Sequence, residues 1–152
     1  MQSVSFVNLE TMERHESKPS FRREARIVVL QSLCESDLVD HDLMAVLWRR
    51  IEESDIPDAY HEFAYDLVME VFENCAEVDN MIMAHAPSWP LNQMAVVDRN
   101  VLRMAITEIK WRKDIPHGVA VNEAVELAKI FGSETSPGFV NGVLGSLIGS
   151  RN

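Results

Sequence analysis

Three arginines, Arg22, Arg23 and Arg26, lie close together where a segment with helical apolar spacing begins. Guanidinium groups bind phosphate oxygens through charge-assisted hydrogen bonds, so such a cluster is a candidate nucleic-acid site. Arg22 and Arg26 are four residues apart and would share one helix face. Cations near a helix N-terminus oppose its dipole by roughly 0.3–1 kcal/mol each, which suggests an anionic partner. Surface arginines that only aid solubility are the alternative, and the residues alone leave it open.

Patterns typical of enzymes are incomplete in this chain. The stretch HEFAY, at 61–65, has Tyr65 where a zinc-protease motif requires its second histidine. Asp58, Glu62, Asp66 and Glu70 follow helical spacing, but no Glu-x-x-His pair accompanies them as in a di-iron bundle. The sequence has no GxGxxG, phosphate loop or nucleophile elbow. We therefore expect no enzyme, no metal and no cofactor, and we interpret the carboxylates as a solvated or partner-facing acidic face.

The charge is distributed unevenly along the 152 residues. The formal net charge is −10, yet residues 35–86 carry −12, while the segments before and after them each carry +1. The two ends of the chain could therefore form a surface of locally positive potential. Cys34 and Cys75 lie in apolar patterns and are interpreted as buried side chains. With no apolar run of about 20 residues and no secretory pattern, we expect a cytoplasmic protein without membrane contact.

Apolar side chains recur with helical spacing along most of the chain, and no strand pattern stands out. We predict an all-α fold, a compact helical bundle of about six to seven helices. Residues 1–19 are expected to be a flexible N-terminal extension, and residues 20–152 a single domain. Ser20 is a plausible N-cap for the first helix. The remaining helices are expected over approximately residues 42–54, 57–85, 93–113, 121–131 and 136–148.

The last predicted helix contains several residues that lower helix stability. Ser136 and Pro137 suit its first turn, but glycines follow at positions where each costs about 0.5–1 kcal/mol relative to alanine. We expect Gly142 and Gly145 to let a neighbouring backbone approach closely. Asn141 lies among apolar residues, so we interpret it first as a buried, hydrogen-bonded residue and second as a ligand contact.

Three blocks, residues 22–33, 97–132 and 136–147, carry a family resemblance. The motifs VNEAVELAKIFG and FVNGVL are its most specific parts. In these blocks the chain resembles the NusB family of bacterial transcription antitermination proteins. The resemblance implies about seven helices in two sub-bundles. It also implies binding of a single-stranded boxA-type RNA jointly with ribosomal protein NusE, within the RNA polymerase elongation complex that also contains other Nus factors.

The resemblance also assigns candidate RNA-binding residues. The arginine motif of the family falls on Arg22, Arg23 and Arg26, with Gln31 further along the same segment. Phe139 lies near the RNA surface of the family and is a candidate for stacking on a base, although core packing is an equal alternative. Asn141 completes the set as a candidate RNA contact.

Other functions remain alternatives at this stage. The chain could be a protein-only adaptor, a paralogue that has kept the fold and weakened the RNA site, since Glu24 interrupts the arginine motif. NusB-like domains also precede ribosomal RNA methyltransferases, but this chain has no room for such a domain. The sequence leaves open whether the protein forms a homodimer.

Overall fold

The computed structural model describes the backbone of residues 2–86, 88 and 90–149, and the side chains of these residues from 21 onward. Within these ranges the chain forms seven α-helices and two short 3-10 turns and contains no strand, which confirms the all-α prediction. None of the described helices is both long enough and apolar enough to cross a membrane. The helices are α1 (Gln2–Val39), α2 (Leu43–Glu53), α3 (His61–Glu73), α4 (Cys75–His85), α5 (Val96–Trp111), α6 (His117–Phe131) and α7 (Ser136–Gly149).

The first helix begins earlier than the apolar pattern indicates. Helix α1 starts at Gln2 and continues through Ser20 without a break, so the expected N-cap at Ser20 is wrong. The division into a flexible extension, 1–19, and a domain, 20–152, stays a prediction. The side chains of Arg14 and Lys18, which precede the arginine cluster, lie outside the described residues.

The long helix expected up to about residue 85 is two helices. Asn74 separates α3 from α4, with backbone angles φ −110° and ψ 15°. Its side-chain Nδ2 donates to the Glu70 carbonyl at 2.8 Å, and its backbone N–H donates to the same oxygen at 3.1 Å. Asparagine side chains compete with helical backbone hydrogen bonds in this way, so a local preference ends the helix although the apolar spacing continues.

Helix α5 is the centre of the bundle. It packs against α1 and α3, which with α2 form the N-terminal group, and against α4, α6 and α7, which form the C-terminal group. All residues from 104 to 109 are buried, as expected for a helix that is enclosed on every side. Three polar side chains in this helix, Asn100, Thr107 and Glu108, are also almost fully buried. Any side chain on α5 that needs a partner must find it on a surrounding helix.

Helix α2 is held to the end of α1 by a carboxylate. Glu35 Oε1 accepts hydrogen bonds from Arg49 at 2.6 Å and Arg50 at 2.8 Å, and Glu35 Oε2 lies 2.9 Å from His41 Nδ1. The hydrogen bond with His41, together with those from the two arginines, lowers the pKa of Glu35 to about 2. Asp42 caps α2 by accepting from the Ala45 N–H at 2.9 Å. These contacts occupy both basic side chains of α2.

The glycines near the last helix have roles that differ from the expected ones. A Cβ at Gly142 or Gly145 would meet no atom within 4 Å, so these glycines do not admit a neighbouring backbone, and that interpretation is wrong. The close approach is at Gly132, where a Cβ would lie 2.5 Å from Ser136 Oγ and 2.8 Å from the Ala128 carbonyl oxygen. Gly132 therefore permits the tight connection between α6 and α7.

We predict that Gly132→Ala lowers the free energy of unfolding by about 1–3 kcal/mol, because the new methyl group overlaps backbone and cannot be accommodated by a side-chain rotation. The matched control is Gly145→Ala, which should raise it by about 0.4–1 kcal/mol, since that site is open and helical. Urea denaturation of both variants checks this. Equal effects of the two substitutions would contradict the close approach at Gly132.

Candidate functional site

Arg26, the most deeply placed residue of the arginine cluster, points into the bundle. It is 3% exposed, and its Nε donates to Glu108 Oε2 on α5 at 2.9 Å. A second carboxylate, Glu123 on α6, lies 3.8 Å from its Nη1. The pair with Glu108 spans 82 residues of sequence and joins α1 to the central helix.

Glu108 is itself 2% exposed, so the ion pair is buried on both sides. Burial raises the pKa of the Glu108 carboxyl, and the Arg26 guanidinium opposes that rise by favouring the charged form. Arg26 Nη2 has no hydrogen-bond partner among the described residues. Removing one member of such a pair leaves an uncompensated buried charge, which is strongly destabilising.

The other two arginines of the cluster are nearer the surface. Arg23 is partly buried and makes a bidentate pair with Glu123, through Nε at 3.0 Å and Nη2 at 2.9 Å. Arg22 is exposed, and its guanidinium lies 4.9 Å from the centre of the Phe63 ring. Arg26 and Arg112 also lie against this ring, at 5.3 and 5.2 Å. Three guanidinium groups thus lie against the Phe63 ring of α3. Arg22 is the exposed residue among the three.

Gln31 lies on a different side of α1 from the arginine cluster. Its Oε1 accepts a long hydrogen bond of 3.5 Å from Arg50 of α2. The structure therefore brings Arg22, Arg23 and Arg26 together but places Gln31 apart from them. A role for Gln31 in RNA binding stays a prediction.

Phe139 lies between two surface clefts. Its ring is half-buried against the core, and it lines a cleft of about 530 Å³ on one side and one of about 320 Å³ on the other. Phe139 therefore packs partly against the core, and its role in stacking on a base stays a prediction. Gly138 and Gly142 line the smaller cleft, where the lack of side chains keeps it open.

The larger cleft contains a carboxylate that the sequence analysis missed. Asp98, in the first turn of α5, is 8% exposed, and its Oδ1 has no hydrogen-bond partner within the described part of the chain. A buried acceptor without a partner is costly and therefore calls for an explanation. The only sequence signal was an acidic residue at the start of a helix, which is too common to single out. Besides Asp98 and Phe139, the cleft is lined by Gln93, Met94, Ala95, Ser133 and Thr135.

Asn141 is exposed on α7, so the interpretation that it is a buried, hydrogen-bonded residue is wrong. Its apolar neighbours in sequence face the core, whereas its own position faces solvent.

The arginine cluster and the Phe139 cleft are separate surfaces, because α5 carries Asp98 at the cleft and Glu108 at the arginine cluster. Ten residues of helix place them about 15 Å apart along α5.

The fold and these two surfaces define a class: all-α proteins that present an exposed arginine and an aromatic-lined cleft on one helical scaffold. The chain belongs to the NusB family, which it matches over residues 23–148. It is 44% identical to the transcription antitermination protein NusB of Desulforamulus reducens, over 86% of this chain and 92% of the relative. The expected membership of this family of transcription antitermination factors is thereby confirmed.

Solved structures agree with the sequence match. The chain is similar to T. maritima NusB, with a TM-score of 0.78, 37% identity, and coverage of 83% of this chain and 89% of that one. It is also similar to a chain in a crystal structure of the antitermination factors NusB and NusE in complex with double-stranded RNA. There the TM-score is 0.79 at 26% identity, over 86% of this chain and 98% of that one.

We predict that Arg26→Met lowers the free energy of unfolding by about 3–5 kcal/mol at pH 7.5 and by less at pH 5.5. Without Arg26, the raised pKa of Glu108 rises further, and the folded state then binds a proton that the unfolded state does not. Stability therefore falls as pH increases through that interval. Urea denaturation at the two pH values measures both effects.

The control for this prediction is Arg22→Met, which removes an exposed cation from the same aromatic ring. It should cost less than about 1 kcal/mol at either pH. If Arg26→Met cost as little as Arg22→Met, the buried pair would not stabilise the fold.

Proposed function

We propose that this protein binds boxA-type single-stranded RNA jointly with NusE and acts in the RNA polymerase elongation complex as an antitermination factor. The observation that carries this proposal is the cleft lined by both Phe139 and Asp98, a largely buried carboxylate with one oxygen that has no hydrogen-bond partner among the described residues. The relatives of this protein include proteins named as transcription antitermination protein NusB. One similar chain comes from a structure of NusB and NusE in complex with double-stranded RNA. The protein would act by binding rather than by catalysis, in the bacterial cytoplasm where transcription takes place.

The cleft combines the two kinds of group that read an unpaired base. An aromatic ring offers a stacking surface worth about 1–3 kcal/mol per base in single-strand recognition. A carboxylate oxygen accepts a hydrogen bond from a base amino group, as aspartate does from cytosine N4. Ser133 and Thr135 add hydroxyl groups to the cleft wall. We assign Phe139 as the stacking residue and Asp98 as the acceptor that selects a base with an amino group.

The three arginines divide into two roles in this proposal. Arg22 is exposed and can bind a phosphate directly. Arg23 and Arg26 are paired with Glu123 and Glu108, so we assign them as positioning residues that fix the first helix. An extended strand of several nucleotides would be needed to reach from Arg22 to the Phe139 cleft. Asn141 is exposed on α7 but lies two residues from Phe139 and so on the opposite helix face, and its contact with RNA stays a prediction.

A protein-only adaptor is the second candidate function. The internal pairing of Arg23 and Arg26 favours it, because only Arg22 of the cluster is then left for phosphate. The net charge of −10 also opposes RNA binding by the isolated chain. In the leading proposal NusE supplies part of the RNA surface, so the two candidates differ in whether RNA binds once NusE is present.

We predict that labelled boxA-type RNA binds this chain more tightly with NusE than without it, and more tightly than a scrambled strand.

Phe139→Leu should weaken that binding by about 1–3 kcal/mol, which is roughly 5- to 150-fold, through the loss of stacking. Arg22→Met should reduce the slope of log affinity against log salt by about 0.7, the contribution of one single-strand phosphate contact. Fluorescence anisotropy at several salt concentrations measures both.

Arg49→Met is the matched control, because it removes the same charge from an exposed side chain that is bound to Glu35, thirteen residues along α1 from Arg22. It should leave the salt slope unchanged. Equal binding of boxA and scrambled RNA in the presence of NusE would overturn the proposal and support the protein-only adaptor. Tighter binding of a duplex of the same sequence would overturn the assignment of a single-strand site.

A further inference from the structure

Three large aromatic side chains are exposed on helices α2 and α3. Trp48 and Tyr65 stack on one another, with ring centres 5.8 Å apart and planes inclined by 27°. Trp48 is 46% exposed, and Phe72, further along α3, is 65% exposed. We call Trp48, Tyr65 and Phe72 the α2–α3 patch. Aromatic residues exposed side by side on a soluble protein typically mark an interaction surface, unlike single exposed apolar residues.

This patch is separate from the surfaces assigned to RNA. Tyr65 and Phe72 are seven residues apart and therefore share one face of α3. Phe63, which holds the arginine cluster, is two residues before Tyr65 and lies on the opposite face. Helix α7, which carries Phe139, packs against α4, α5 and α6 rather than against α2. A partner on the α2–α3 patch would therefore leave the Phe139 cleft and Arg22 uncovered.

Carboxylates border the patch. Glu52 lies one helical turn from Trp48, Glu62 lies one turn from Tyr65, and Glu73 follows Phe72 directly. All three are exposed, and none forms an ion pair with any residue that the structure describes. The nearby arginines of α2, Arg49 and Arg50, are both bound to Glu35. Because the two arginines share one carboxylate, a single positive charge remains beside the three unpaired carboxylates, and the rim of the patch keeps a net negative charge.

The charge of the rim selects the class of occupant. An RNA strand would meet like charge at this surface. A second copy, placed patch to patch, would bring two sets of unpaired carboxylates together. A cationic side chain can make two favourable interactions there, one with the face of an aromatic ring and one with a neighbouring carboxylate. We propose that the α2–α3 patch docks an arginine- or lysine-rich segment of a partner protein.

The test uses the full chain labelled with ¹⁵N and three 18-residue peptides. The peptides share leucines at helical spacing and carry arginine, glutamine or glutamate at the other positions. The arginine peptide should shift the signals of the Trp48 indole N–H and of the Tyr65 and Phe72 amides, with an affinity that falls as salt rises. The glutamate peptide should shift none of these signals.

Variants test the aromatic and acidic parts separately. Trp48→Ala and Tyr65→Ala should each weaken binding of the arginine peptide about tenfold, as loss of an aromatic anchor does. The double variant Glu62→Gln/Glu73→Gln keeps the aromatic rings and should remove most of the salt dependence. Ile130→Ala removes an apolar side chain of similar exposure on α6 and should leave binding unchanged. RNA binding with NusE should stay unchanged in all of these variants.

Several results would overturn the proposal. The glutamine peptide could bind as tightly as the arginine peptide, which would show that the patch binds apolar segments without selecting cationic side chains. Sedimentation could show a dimer that Trp48→Ala converts to monomer, which would identify a second copy as the occupant. Single-stranded RNA could shift the same signals, or Trp48→Ala could abolish RNA binding with NusE, which would place the patch in the RNA assembly. A failure of RNA binding in the unmodified chain would affect only the function proposed above.

Discussion

The buried ion pair between Arg26 and Glu108 is the contact on which the arrangement of the two helical groups depends. It joins the first helix to α5, and α5 in turn contacts every helix except α2. Both charged groups are almost fully enclosed, so the pair tolerates little displacement. Buried pairs add less to stability than their short distances suggest, because both ions lose their hydration. What such a pair can add is a fixed alignment of the helices that carry it.

That alignment determines how the residues proposed to contact RNA are presented. Because Arg26 is engaged inside the bundle, the neighbouring Arg22 lies over Phe63 and faces solvent. At the other end of α5, the largely buried Asp98 lines the cleft beside Phe139. The central helix therefore sets the distance between the group proposed to bind phosphate and the cleft proposed to bind a base. The α2–α3 patch lies on the outer face of the N-terminal group, where a protein partner could be held at the same time.

The sequence predicted the helices well because most of them have one buried face, which leaves a clear apolar period. It failed at Asn74, where a side-chain hydrogen bond ends α3 within an unbroken apolar pattern. The glycines of α7 show a different limit: spacing alone could not tell an open surface at Gly145 from the close contact at Gly132.

The arginine cluster was found from residue type, but its division into roles was not predictable. The partners of Arg23 and Arg26 lie 100 and 82 residues away, and only the folded chain brings them together. Asp98 was missed for a similar reason, since its burial and its unpartnered oxygen are properties of the packed structure.

In the proposed complex with RNA, Arg22 contacts the strand directly while Arg26 stays in its internal pair. The most direct measurement is NMR of the arginine Nε–H signals as boxA-type RNA is added to the ¹⁵N-labelled chain with unlabelled NusE. We predict that the Arg22 signal shifts with the bound fraction, whereas the Arg26 signal keeps its position and its protection from solvent exchange. A shift of the Arg26 signal with loss of that protection, while Arg22 stays unchanged, would contradict it.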